Sequence, residues 1–105
     1  SEDFRAYGQA QRALEAATAL AQQGRLDHAI EEASLAVTLQ PLSPDAQLLL
    51  ADLHQQRAKS RSSSAQKAEQ RAEQERAKAA YQRFLTLYPP YKRDIARAEE
   101  AVRAL

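Results

Sequence analysis

Few residues in this chain of 105 amino acids combine reactive types with a useful spacing. His28 stands three and four positions before Glu31 and Glu32. On a helix that spacing brings an imidazole and carboxylates to one face, where they could share one cation. No third or fourth ligand accompanies them, so His28 reads as a solvent-facing side chain and no metal site is expected. Cysteine is absent, which removes disulfides, thiolate ligands and thiol nucleophiles. With only two glycines the chain has no Gly-rich phosphate loop. No Ser–His–Asp set or catalytic carboxylate pair can be singled out. The residues therefore predict a chain that is not an enzyme and carries no cofactor. Arg93 and Arg97 lie one helical turn apart, a spacing suited to holding an acidic group of a peptide. Ser60, Ser62, Ser63 and Ser64 stand beside Arg57, Lys59 and Arg61, where phosphorylation would add negative charge.

The elements that carry these residues are helical by composition. Ala, Leu, Gln, Glu, Lys and Arg abound, whereas Gly and Pro together number six. Hydrophobic residues make up 44% of the chain, much of it Ala, which buries little surface but lets helix backbones approach closely. Lys and Arg total 15 against 14 Asp and Glu, and a net charge of +1 gives no pull toward nucleic acid or an anionic membrane. The longest aliphatic run, Leu48-Leu49-Leu50-Ala51, is far short of a membrane span. The acidic start, Ser1-Glu2-Asp3-Phe4, is unlike a signal peptide, so a cytoplasmic location is expected. Gly24, the pair Pro41 and Pro44, the Ser60–Ser64 stretch and Pro89-Pro90 punctuate the chain. They predict an all-α fold of five helices, near residues 3–22, 26–40, 44–60, 65–88 and 91–104. Ser43 before Pro44 reads as an N-cap followed by Pro at the first helical position.

The chain also compares with itself. Leu14, Ala16, Ala17 and Leu20 align with Leu48, Leu50, Ala51 and His54, 34 positions on. Ala29, Ala33, Ala36 and Pro41 align with Ala77, Tyr81, Phe84 and Pro89, 48 positions on. On these residues, and on Gly24-x-Leu26-x-x-Ala29-Ile30, the chain resembles the tetratricopeptide-repeat (TPR) family. The Trp and Gly-Tyr of the family's first helix are replaced by Ala13, Ala17 and Leu20. The resemblance implies a right-handed superhelix of antiparallel helix pairs, a single domain over residues 1–105. Repeat one would cover about 10–43, repeat two about 44–91, and a capping helix about 91–104. Ala17, Ala29 and Ala36 would lie at the first helix crossing, and Ala51, Ala77 and Phe84 at the second. His54 falls where the family often places an aromatic residue, which implies a partly buried packing role.

The difference between the two offsets leaves 14 additional residues in the second pair. Divided evenly they add about two turns to each helix, and the prediction is a hairpin projecting roughly 10 Å. This arm would span about 58–72, with its tip near Ser60–Ser64 and a thin apolar line at Ala65, Ala68, Ala72 and Ala79. Pairs such as Arg71–Glu75 and Glu75–Lys78 would support it along one helix.

The resemblance also implies a function: a protein–protein interaction module, adaptor or regulatory, that binds a partner's peptide or helix in a groove lined by the odd helices. By register the lining would be Gln11, Leu14, Glu15 and Thr18, then Asp45, Leu48, Leu49, Asp52 and Gln55, then Arg93, Arg97 and Glu100. The chaperone-binding branch of the family clamps a C-terminal carboxylate. Arg93 and Arg97 match its two basic positions on the last helix, but Leu14, Thr18 and Leu49 occupy the other three, so that mode of binding is not expected. Two further readings stand beside this one. Two repeats are fewer than solenoids usually need, so the chain could be a self-associating scaffold, a homodimer. It could equally regulate an enzyme in the same polypeptide, as in chemoreceptor methyltransferases with TPR extensions. Neither nucleic acid nor membrane insertion is an expected partner.

Overall fold

A computed structural model describes residues 2–105. Among them are five α-helices and no strand. They are α1 (Glu2–Gln22), α2 (Leu26–Leu39), α3 (Pro44–Ser60), α4 (Lys67–Leu85) and α5 (Lys92–Ala104), with a 3-10 turn at Ser64–Gln66 before α4. No helix among the described residues is long and apolar enough to cross a membrane.

Local chemistry accounts for most of the boundaries. At the end of α1, Gly24 takes φ +78°, a left-handed conformation that costs a glycine little. The Arg25 amide then donates to the Leu20 carbonyl and the Gly24 amide to Ala21, which closes a Schellman turn. Ser43 caps α3, its hydroxyl oxygen accepting from the Ala46 amide at 3.2 Å, and Pro44 follows at the first helical position. α4 stops at Leu85, three residues short of the expected 88. Tyr88 precedes Pro89, which disfavours the right-handed helical region for it, and it adopts φ +51°. The Thr86 amide is shared between the Gln82 and Arg83 carbonyls, so the last turn tightens before the chain leaves the helix.

Each helix packs mainly against its neighbours in the chain: α1 on α2, α2 on α3, α3 on α4 and α4 on α5. Small residues are buried in both the first and the second pair. Ala17 and Ala29 are fully buried in one cluster, Ala51 and Ala77 in another. Tyr81 and Phe84 supply the bulk of the second cluster, together with Ala98 and Ala101 of α5. Ala36 departs from the expected grouping. It joins Ala10, Ala13 and Ala46 in a third cluster, where the last turns of α2 meet the first half of α1 and the start of α3.

Set against α1 and α2 at the sequence offsets of 34 and 48, α3 and α4 do not lengthen evenly. α3 runs four residues past the position equivalent to the end of α1, about one turn, whereas α4 starts seven residues early, about two turns. The remainder lengthens the turn. Serines explain this, because their side chains compete for backbone and local partners. The Ser60 hydroxyl donates to the Arg57 carbonyl at 2.7 Å, and the Ser63 hydroxyl donates to Gln66 Oε1 at 2.9 Å. The expected Ala line is also corrected. Ala65 and Ala68 are exposed, and the seam instead contains buried Ala58, whose carbonyl accepts from Gln70 Nε2 at 3.0 Å.

Candidate functional site

The root of the arm is closed by a polar network that local sequence windows do not display. Glu73 lies on α4 four residues before Ala77, and His54 on α3 three residues after Ala51, so both share the buried face. Glu73 is 3% exposed and His54 8%. Glu73 Oε2 lies 2.7 Å from His54 Nδ1, and Oε1 accepts from Arg57 Nη2 at 2.7 Å and from Arg76 Nη1 at 2.6 Å. The other end of Arg57 reaches Asp27 of α2 at 2.8 Å, tying the arm to the first helix pair. A carboxylate only accepts, so His54 carries its proton on Nδ1.

Charge sets the protonation of this cluster. Burial pushes the Glu73 carboxyl upward, but hydrogen bonds from Arg57 and His54 and their charge outweigh it and hold the group at about 2. Burial lowers His54 from its ordinary value, against the opposing pull of Glu73, so the imidazole is neutral at pH 7. Arg57 is held above its ordinary value, chiefly by its bond to Glu73. The network braces the arm, with Glu73 and His54 turned away from solvent. The expected within-helix pairs Arg71–Glu75 and Glu75–Lys78 do not form among the described residues; Arg61–Glu69 at 3.1 Å and Arg57–Glu73 cross between α3 and α4 instead.

The expected groove residues fall into separate groups. Leu14, Glu15 and Thr18 line one depression of about 340 Å³ on α1, where the Thr18 hydroxyl donates back to the Leu14 carbonyl. Gln11 and Asp45 line another of about 290 Å³ with Tyr7 and Leu42. Leu48 and Leu49 are half-buried, Leu48 against the α3–α4–α5 cluster and Leu49 against the α1–α2–α3 cluster. Glu100 pairs with Arg103 at 2.7 Å, and Arg93 is exposed.

Asp52, Gln55 and Arg97 form a third group around Tyr81. Arg97 of α5 holds Asp52 of α3 through two bonds, 2.7 and 3.2 Å. The Tyr81 hydroxyl lies 2.6 Å from Asp52 Oδ1 and 2.7 Å from Gln55 Oε1. A phenol has one proton, and the charged Asp52 is the stronger acceptor. Burial, then the Asp52 bond and charge, raise the Tyr81 hydroxyl well above its ordinary value. Arg97 is raised in turn by its bond to Asp52. Of these two arginines one turn apart, Arg97 is bonded to Asp52 and Arg93 is exposed.

His28 is exposed, and among the described residues no group of three potential ligands could hold a metal ion. No protein-family model, no curated protein and no solved structure matches the chain.

Proposed function

We propose that the chain is a protein–protein interaction module of the TPR type, in which two helix pairs and a closing α5 offer the face of α1, α3 and α5 to a partner's peptide or helix. The observation that carries this reading is the matched burial of small residues. Ala17 with Ala29, and Ala51 with Ala77, sit fully buried at corresponding helix contacts, separated by offsets of 34 and 48. That arrangement stacks helix pairs side by side and leaves one edge of each first helix open. The accessible polar residues on that edge include Glu15, Thr18, Asp45, Arg93 and Glu100. Asp52, Gln55 and Arg97 act as the brace that fixes α3 against α4 and α5. In this reading the chain works as an adaptor, or as the regulatory part of a longer bacterial signalling or assembly protein.

Peptides selected from a random library on the immobilised chain, then titrated into isotope-labelled protein, test the reading. Amide shift changes should concentrate at Leu14, Glu15, Thr18 and Arg93. Combining Glu15→Arg with Arg93→Glu should abolish binding at unchanged helicity. Leu48 and Leu49 are unsuitable for this test, because a glutamate there would put charge against the core. Shifts confined to residues 58–72 would transfer the site to the arm and end the groove assignment.

A further inference from the structure

The outer flank of the first helix pair is open in a way its counterparts are not. Ala16, Leu50 and Ala98 share register at the offsets of 34 and 48. Leu50 of α3 is 6% exposed, in a cluster with Ile30 and Ala33 of α2, and Ala98 of α5 is fully buried in a cluster with Ala77 and Ala80 of α4. In each case the preceding helix covers the position. Ala16 of α1 instead stays half-exposed, in a trough of about 490 Å³ lined by residues of α1 and α2. Leu35, 47% exposed, and Leu39 form its opposite wall.

Two further features lie along this flank. Gly8 sits one turn before Arg12 inside α1, where glycine weakens a helix. A Cβ on Gly8 would meet only the Arg12 guanidinium, at 3.6 Å, so no contact within the chain requires the glycine. Arg12 and Glu32 line the trough from α1 and α2, and neither joins an ion pair among the described residues.

We infer that this flank is the contact between two copies of the chain, related by a two-fold axis that sets each Arg12 against Glu32 of the other copy. Self-complementarity selects this occupant. A two-fold contact repeats every pairing, so one unpaired cation and one unpaired anion in the same apolar trough are matched twice without any other molecule. The scale also fits. The α1–α2 flank is roughly 30 Å long and 20 Å wide, comparable with the roughly 800 Å² that each partner covers in a stable dimer. This inference concerns a surface distinct from the proposed peptide groove and does not depend on it.

Light scattering coupled to gel filtration across a dilution series is the test, with circular dichroism to verify folding. The wild-type chain should run at twice the monomer mass and dissociate on dilution. Arg12→Glu and Glu32→Arg should each halve the mass at unchanged helicity, because each sets like charges across the axis. Mixing these two variants in equal amounts should restore the dimer, since each carboxylate of the first variant then faces a guanidinium of the second at both symmetry-related contacts. A monomeric wild type overturns the inference, and so does a mixture that stays monomeric. Dimers that persist in both single variants place the contact elsewhere and overturn it equally.

Discussion

Replacing Glu73 by Ala tests whether the carboxylate at the root of the arm stabilises the fold. The substitution removes the acceptor of Arg57, Arg76 and His54 in one step. Breaking a buried ion pair by deleting one partner costs about 3–5 kcal/mol. Arg57 keeps Asp27 and 19% of its side chain remains exposed, which places the expected loss near the lower end of that range. A second route gives a similar figure. The Glu73 carboxyl falls from 4.5 to about 2 on folding, which at 1.36 kcal/mol per unit is about 3 kcal/mol. Urea unfolding followed by circular dichroism at pH 7 should register this loss, and a separate thermal scan should show Tm lower by roughly 10–20 °C. The pH dependence has a definite sign. The folded-state value is depressed, so the contribution is complete above 4.5 and disappears as pH falls toward about 2. The gap between wild type and Glu73→Ala should therefore narrow through that window. His54, also depressed on folding, adds a loss of the same sign as pH drops below 6.5. Glu73→Gln, which keeps one acceptor but no charge, should fall between the two and lack the acid-window slope of the wild type. A loss below about 1 kcal/mol for Glu73→Ala at pH 7, or a gap that does not change with pH, would refute the argument.

Three further substitutions probe the scaffold. Ala29→Leu and Ala77→Leu each insert a larger side chain where none of the alanine is exposed, and each should lower the unfolding free energy by about 1–3 kcal/mol in urea titration; a neutral result would mean that the helices do not meet closely there. Ser43→Ala removes the acceptor for the Ala46 amide, and its urea midpoint should fall by an amount equivalent to about 1 kcal/mol; an unchanged midpoint would show that the cap contributes nothing.

The helices were legible because their signals are local. Gly24, Ser43-Pro44 and Pro89-Pro90 act within a turn of where they stand, and all three helix ends form at or within a few residues of them. The offsets of 34 and 48 were equally readable, and Ala17, Ala29, Ala51 and Ala77 are buried as a close contact between helices requires. A trace of the arm network was present too. Glu73 and His54 occupy the same helical faces as Ala77 and Ala51, and a charged residue on a buried face needs a partner there.

What the sequence alone determined is thus the all-α class, the approximate helix limits and the small residues at the crossings. Tertiary structure alone decided which charge meets which. A helix window offers pairs three or four residues apart, yet Glu73 finds Arg57 and His54 at separations of 16 and 19, and Arg97 finds Asp52 at 45. Those choices depend on how α3, α4 and α5 rotate and slide against one another. Packing of Ala, Tyr81 and Phe84 sets that rotation first, and the charges then pair across whatever faces it brings together.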